Sequence, residues 1–141
     1  MIDTKPLDDT VSVSSFVPPA SLGELAGRFR TVINNRPDGE EPGQATSAEL
    51  AEAASSLGLD YVSIPIVPGQ ITDTQIAAFT AALETHPGPV LAFCKSGMRA
   101  ASMWALASAG SRGSEAALAA AARAGYDLSP LKSRIEARTR T

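Results

Sequence analysis

The chain contains an unbroken apolar run, Val90-Leu91-Ala92-Phe93, between Pro87-Gly88-Pro89 and a polar segment. Four consecutive apolar residues beside turn residues are typical of a strand that is buried on both faces. Such a strand needs helices packed on each side of its sheet. The run therefore predicts a three-layer α/β protein with a mainly parallel central sheet flanked by helices.

Other segments alternate between strand and helix in the order that a parallel sheet requires. Their hydrophobic patterns predict strands over 11–17, 30–34 and 61–66. Helices are predicted over about 47–57, 73–85, 99–109 and 114–123, with a short helix from Ser21 and a last one from Ser129-Pro130. Because helices connect successive strands, we expect the strands to pair in parallel.

Capping residues predict where these helices begin and end. Three capping boxes, in which each side chain satisfies a free backbone N–H group, are Ser21 with Glu24, Thr46 with Glu49, and Thr72 with Gln75. Gly58 is expected to end the helix over 47–57, because glycine readily adopts left-handed geometry. Ser129 is expected to cap the last helix, with Pro130 as its first residue. The segment from Gly110 to Gly113 is expected to separate two Ala-rich helices.

Composition narrows the class of protein and its partners. The 141 residues, of which 44% are hydrophobic and 19% are charged, fit one globular domain over 1–141. A net charge of −3 without a basic run argues against a nucleic-acid partner. No apolar run approaches the roughly 20 residues that a membrane helix needs. The sequence leaves the oligomeric state open.

Cys94 is the single cysteine of the chain, which excludes an intrachain disulfide and a zinc site built from thiolates. A lone cysteine without an export signal indicates a reducing compartment, so we expect a cytoplasmic protein. The single histidine has no ligand partner near it in the sequence. We therefore expect neither a metal nor another cofactor.

Cys94 begins the segment Cys94-Lys95-Ser96-Gly97-Met98-Arg99, directly after the buried strand and before a helix. Ligands collect at this edge of a parallel sheet. Free N–H groups and the positive end of the helix dipole point toward the sulfur, Gly97 permits a tight bend, and Arg99 adds a permanent positive charge. We therefore predict a reactive thiolate at Cys94 that acts with Arg99. The residues between them, Lys95, Ser96, Gly97 and Met98, are predicted to form an anion-binding loop.

A simpler interpretation is that Cys94 is a small buried hydrophobic residue. It accounts for a cysteine after an apolar strand, but not for the Lys-Ser-Gly-x-Arg residues that follow. It also predicts a side chain hidden from solvent, whereas a reactive thiolate is expected to be reachable. The exposure of Cys94 therefore separates the two interpretations.

Other charged residues are weaker candidates. Arg36, Asp38, Glu40 and Glu41 follow the strand over 30–34 and should lie at the same sheet edge. Arg36 either joins the anion site or forms an Arg–Asp pair with Asp38 that fixes the turn, and both interpretations stay open. Asp73 is interpreted as structural, because a carboxylate in the first turn of a helix complements the helix dipole.

These residues resemble known catalytic loops. Cys94 to Arg99 is similar to the six-residue Cys-x4-Arg loop of rhodanese sulfurtransferases, which is one residue shorter than the Cys-x5-Arg loop of protein-tyrosine and dual-specificity phosphatases. The chain also resembles the phosphatase-like domain of beta-lactamase hydrolase-like proteins, from Val11 to Ala109. This domain is also called DUF442, and its members are proposed to be sulfur transferases. Val32 to Glu41 is the most specific stretch, and Tyr61 to Pro65 adds to it. The resemblance implies a tyrosine-phosphatase-like fold.

The resemblance also implies a cysteine-dependent enzyme with a small anionic substrate. In a sulfurtransferase, Cys94 would carry a persulfide. In a phosphatase, Cys94 would attack phosphorus while Arg99 bound the equatorial oxygens, and an acid would protonate the leaving group. The loop over 67–70, where such phosphatases place an Asp, contains none, and Asp73 is the nearest acid. The missing acid and the short loop favour a sulfane sulfur donor over a phosphate ester.

Two positions depart from the families' patterns. Phe93 stands where relatives often have His, and Ala100 stands where both families usually have Ser or Thr. The resemblance implies that this hydroxyl supports the thiolate. Ser102 lies too far along the helix to be an assured substitute. These departures keep open a third interpretation, a regulatory module that binds sulfate, phosphate or a phosphorylated partner without turnover.

Overall fold

Five strands form one sheet in the order β1-β2-β5-β3-β4 in the computed structural model, which describes residues 2–139. The strands are β1 Lys5–Pro6, β2 Val11–Ser14, β3 Thr31–Asn34, β4 Asp60–Ser63 and β5 Val90–Phe93. The pairs β2–β5, β5–β3 and β3–β4 are parallel, whereas β1 pairs antiparallel with β2. The prediction of a mainly parallel central sheet is confirmed.

Helices cover both faces of this sheet. They are α1 Ser47–Ser56, α2 Asp73–Thr85, α3 Met98–Arg112, α4 Ser114–Arg123 and α5 Lys132–Thr139, with short 3-10 helices at Pro19–Glu24 and Ser129–Leu131. One hydrophobic cluster joins the sheet to α2, α3, α4 and α5, and the other joins it to α1 and the first 3-10 helix. The chain therefore folds into three layers. No helix within residues 2–139 is both long and apolar enough to cross a membrane.

The central strand β5 connects the two hydrophobic clusters. All four of its residues are buried. Val90 and Ala92 pack in the cluster beneath α2–α5, and Leu91 and Phe93 pack in the opposite cluster, because side chains alternate along a strand. The prediction that this run is covered on both faces is confirmed. The same alternation turns the next residue, Cys94, toward the α2–α5 layer.

Local capping signals locate two helices well. Both predicted reciprocal bonds are present between Thr46 and Glu49 and between Thr72 and Gln75. Helix α2 has the predicted bounds, and Gly58, just past the end of α1, has a φ of +76°. A capping box and a C-terminal glycine each depend on residues only a few positions apart, which is why the sequence predicts them well.

Two other predictions of helix ends are wrong and one is partly right. Ser21 lies inside a 3-10 helix that Pro18 precedes without a side-chain cap. The break between α3 and α4 lies at Gly113, which has a φ of +88°, but Gly110 lies within α3, which ends at Arg112. Leu128, not Ser129, occupies the cap position of the last 3-10 helix, and the N–H and hydroxyl of Ser129 donate to Asp127 instead.

Strand lengths also differ from the prediction. β2 ends at Ser14, after which the Phe16 N–H donates to the carbonyl of Lys95, 3.2 Å away. β4 ends at Ser63, two residues before Pro65, which lacks an N–H donor. The two-residue strand β1 was not predicted. The early end of β2 affects the site, because the chain that follows it contacts the cysteine loop through Phe16.

Candidate active site

The Cys94–Arg99 loop connects the carboxyl end of β5 to the first turn of α3. Gly97 is the residue that caps α3, with a φ of +99°, a geometry that favours glycine. Its N–H donates to the sulfur of Cys94 at 3.1 Å. The hydroxyl of Ser96 accepts from the N–H of Met98 at 3.3 Å. The bend of the loop therefore directs the Gly97 N–H to the sulfur, while the Ser96 side chain accepts the N–H of Met98.

Cys94 is fully buried, which contradicts the expectation of a reachable thiolate. Its side chain follows Val90 and Ala92 on one face of β5 and packs in the same cluster as Ala100 and Ala101 of α3. The burial follows from this register, since the helix that begins after the loop covers that face. The structure thus agrees with the simpler interpretation on exposure, while the N–H donor at the sulfur agrees with the reactive one.

Ala100 stands where the related families usually have Ser or Thr. Among the hydrogen bonds of residues 2–139, no hydroxyl of α3 reaches the sulfur of Cys94 in its place. The hydroxyl of Ser102 donates to the carbonyl of Met98 at 2.8 Å, as serines in helices often do. Ser102 is therefore used inside α3 and leaves the sulfur of Cys94 without its support.

Arg99 is held by a carboxylate from the loop after β3. Nη1 donates to Glu40 at 2.8 Å and to the carbonyl of Ile66 at 2.8 Å, and Nη2 donates to Glu40 at 3.0 Å. A guanidinium has five N–H donors. Two of them, on Nε and Nη2, have no hydrogen-bond partner within the described residues. Arg99 is therefore fixed in place and still has two donors for an anion.

Glu40 and Glu41 together connect three cations. Arg36 donates through Nε to Glu40 at 2.8 Å, and its Nη2 lies 3.5 Å from Glu41. Lys95 pairs with Glu41 at 2.5 Å. Two carboxylates thus lie among three positive side chains, Arg36, Lys95 and Arg99, and these five side chains together carry one net positive charge. Arg36 itself is buried, and its Nη2 has no hydrogen-bond partner in the described residues.

The arrangement around Arg36 corrects one of its two interpretations. Arg36 pairs with Glu40 and Glu41 and not with Asp38. Asp38 is exposed and accepts from the N–H of Ser47, so it supports the start of α1. The predicted Arg–Asp pair is wrong because the chain turns back after Gly39 and brings the later carboxylates to Arg36. Arg36 therefore adjoins the Arg99 site through Glu40.

Asp73 lies outside this network. It is 86% exposed and pairs with Arg134 of α5 at 3.1 Å. Arg134 also donates to the carbonyl of Ile71 at 2.6 Å, which ties α5 to the segment before α2. The contacts of Asp73 agree with the structural interpretation.

A cleft of about 280 Å³ borders Arg99. Its walls include Pro68 and Ile71 before α2, Met98 at the start of α3, and Leu131 beside α5. Met98 is 41% exposed. Arg99 and the exposed Met98 side chain therefore border the same cleft.

Two titratable groups near the loop have displaced pKa values. The hydrogen bond from Arg99 lowers the pKa of Glu40, assisted by Arg36 and opposed by desolvation. Burial raises the pKa of Tyr126, and electrostatic interactions with Cys94 and Asp3 raise it further. Glu40 therefore stays ionised, and Tyr126 stays protonated. The described residues contain no cluster of three or more potential metal ligands from His, Cys, Asp and Glu.

Two residues contribute to the site without a clear signal in the sequence. The position of Glu40 after β3 predicts the correct sheet edge but not its contact with Arg99. Tyr126 lies in the turn after α4 and touches the cysteine loop through Gly97 and Ser96. No local pattern around Tyr126 indicated this contact.

The sequence matches the model of a known protein family. The family model of the beta-lactamase hydrolase-like protein, phosphatase-like domain, matches residues 3–111. A beta-lactamase hydrolase-like protein of Agrobacterium fabrum is 43% identical over 81 residues, which are 57% of this chain and 19% of that protein. The match therefore spans only about a fifth of the length of that relative.

Solved structures show the same fold. A proposed phosphatase of Neisseria meningitidis superposes with a TM-score of 0.83 at 24% identity, covering 95% of this chain and 96% of that one. The TpbA protein of P. aeruginosa, solved in complex with pTyr, superposes with a TM-score of 0.63 at 18% identity, covering 99% and 92%. The fold is protein-tyrosine-phosphatase-like, as the resemblance implied.

Proposed function

We propose that this chain, which belongs to the family of the phosphatase-like domain of beta-lactamase hydrolase-like proteins, is a cysteine-dependent sulfurtransferase with Cys94 as nucleophile. One observation carries the choice of sulfur. The carboxylate bonded to Arg99, that of Glu40, is kept ionised by its cations and is unsuited to donate a proton. Sulfur transfer from a good leaving group needs no such donor. We take 1–141 as one domain acting in the reducing cytoplasm.

The proposed reaction has two steps. The thiolate of Cys94 attacks the outer sulfur of a sulfane donor such as thiosulfate. An S–S bond forms to Cys94, the donor's own S–S bond breaks, and sulfite leaves with the electron pair. A second nucleophile, such as cyanide or a thiolate, then takes the outer sulfur and releases the Cys94 thiolate. The free donors of Arg99 and the charge of Lys95 attract the anionic donor.

The burial of Cys94 constrains this proposal. A donor reaches the sulfur only when the loop or its cover moves, so turnover is expected to be slow. The N–H of Gly97 stabilises the thiolate, while Phe93 and Ala100 offer no further support.

A phosphatase is the second candidate, and a specific observation favours it. The fold is shared with a proposed phosphatase and with a protein that was solved with pTyr bound. The two free N–H donors of Arg99 can hydrogen-bond two oxygens of a phosphate ester, just as they can bond two oxygens of thiosulfate. The missing acid argues against it, since Asp73 is paired with Arg134. A module that binds an anion without turnover is the third candidate, and the burial of Cys94 supports it.

One set of assays separates these candidates. The purified protein is assayed with thiosulfate plus cyanide and with p-nitrophenyl phosphate, beside Cys94→Ser. We expect thiocyanate that Cys94→Ser does not produce. Release of phosphate without thiocyanate overturns the sulfur proposal in favour of the phosphatase. Absence of both products, together with binding of sulfate or phosphate, indicates the binding module.

A second pair of variants tests Arg99. Arg99→Lys keeps the charge but loses the planar fork, so we expect a loss of activity of about tenfold or more. Arg112→Lys is the matched control on the same helix, because Arg112 pairs with Asp8 and not with the cysteine loop. Equal activity in both variants contradicts a role for Arg99 in binding the anion.

A further inference from the structure

A single peptide unit connects Tyr126 to Cys94. The hydroxyl of Tyr126 donates to the carbonyl of Ser96 at 3.3 Å, and the N–H of the same peptide, on Gly97, donates to the sulfur of Cys94 at 3.1 Å. We propose that Tyr126 is a positioning residue, which holds the Ser96–Gly97 peptide so that its N–H points at the sulfur. This inference rests on the proposed role of Cys94 as a thiolate.

The planarity of the peptide makes this coupling direct. The carbonyl and the N–H of a trans peptide point in opposite directions, so fixing one fixes the other. If the Ser96–Gly97 unit turned over, its carbonyl oxygen would face the sulfur and oppose a negative charge there. A hydrogen bond at the carbonyl also polarises the peptide and strengthens its N–H as a donor.

Glycine makes an external restraint necessary. Turning the peptide over changes φ of Gly97, and glycine populates both signs of φ with little steric cost. The backbone preference of Gly97 therefore selects neither orientation strongly. The Tyr126 hydroxyl selects one of them, because only one orientation presents the Ser96 carbonyl to that donor.

Tyr126 is well placed to act as a fixed donor. It is 8% exposed, and its own N–H donates to the carbonyl of Ala121 at 2.9 Å. A Cβ added to Gly97 would overlap the Tyr126 hydroxyl, so the two residues are in close contact. The raised pKa of Tyr126 keeps its proton available for donation.

Charged groups around this pair must stay constant in a test. Lys5 lies 5.9 Å from the centre of the Tyr126 ring, and the charge of Asp3 raises the pKa of Tyr126. Arg99 and Lys95 belong to the loop itself. A variant that removes only the hydroxyl leaves all four in place.

The test compares Tyr126→Phe with the unmutated protein and with Tyr61→Phe. Tyr61 is the matched control, because its hydroxyl bonds Asn34 and Ser47 instead of the cysteine loop. The pH dependence of the thiolate absorbance reports ionisation of Cys94, with Cys94→Ser as the blank. We expect the midpoint to move upward by about half a pH unit or more in Tyr126→Phe, and not to move in Tyr61→Phe. An unchanged midpoint in folded Tyr126→Phe overturns the inference.

A measurement on the unmutated protein covers the case in which Tyr126→Phe does not fold. The amide proton resonance of Gly97 should titrate with the same midpoint as the thiolate absorbance. A Gly97 resonance that does not respond to ionisation of Cys94 overturns the inference. Neither readout uses turnover, so the failure of the sulfurtransferase proposal remains distinguishable from the failure of this one.

Discussion

The carboxylate of Glu40 bonds both terminal nitrogens of Arg99, with Oε2 2.8 Å from Nη1 and Oε1 3.0 Å from Nη2. The pair joins the loop after β3 to the first turn of α3, across 59 positions of sequence. The side chain of Arg99 is 12% exposed and that of Glu40 is 20% exposed, so solvent only partly screens the pair. This contact fixes the orientation of the Arg99 guanidinium.

Replacing Glu40 with Gln should destabilise the protein and loosen Arg99. Gln has the same shape as Glu, but it lacks the charge that strengthens the hydrogen bonds from Arg36 and Arg99. Its amide group also places N–H donors next to these two cations. We expect the free energy of unfolding to fall by about 1–3 kcal/mol, measured by urea denaturation at neutral pH. Glu41→Gln is the control, because its half-exposed carboxylate should matter much less. An equal effect of both variants contradicts the special role of Glu40.

Acidification should weaken the fold through the same pair. Arg99 lowers the pKa of Glu40 below its ordinary 4.5, so the unfolded chain binds this proton more readily than the folded protein does. The resulting stability is present above about pH 4.5 and is lost as the pH falls through the lowered pKa. Urea denaturation across this range should show a shallower decline in Glu40→Gln. Identical declines would indicate that other carboxylates with lowered pKa values, such as Glu41 and Glu49, dominate.

Adding a methyl group at Gly97 should disrupt the loop. Gly97→Ala places a side chain at a φ of +99° and against the Tyr126 hydroxyl. The backbone strain alone is worth about 1–3 kcal/mol. Gly43→Ala is the control, since Gly43 has a φ of +79° with no atom within 4 Å of an added Cβ. Thermal unfolding should show a larger loss for Gly97→Ala, and adding Tyr126→Phe should restore part of the difference.

Asp73→Asn should leave catalysis intact. Asp73 is mostly exposed and pairs with Arg134, so its loss should remove a surface ion pair of modest value. Rates with thiosulfate and with p-nitrophenyl phosphate should stay within about twofold of the unmutated protein. A loss of phosphatase activity of about tenfold or more would assign Asp73 as the general acid and favour the second candidate.

Features that depend on neighbouring residues could be predicted from the sequence. The capping boxes at Thr46 and Thr72 and the doubly buried strand β5 follow from patterns that span a few positions. Ser21 has the same capping pattern but lies in a 3-10 helix after Pro18, so the pattern alone was insufficient there. Proline in the first turn replaced the expected cap, since its fixed φ starts the turn without one.

Hydrophobic alternation and helix caps act locally, so the layered fold and the position of the Cys94–Arg99 loop follow from the sequence. The support of that loop depends on tertiary packing. Glu40 reaches Arg99, and Tyr126 reaches Ser96, from elements 59 and 30 positions away. The burial of Cys94 likewise depends on α3 packing over one face of β5. Such contacts arise from the packing of whole elements, and no short pattern around either partner encodes them.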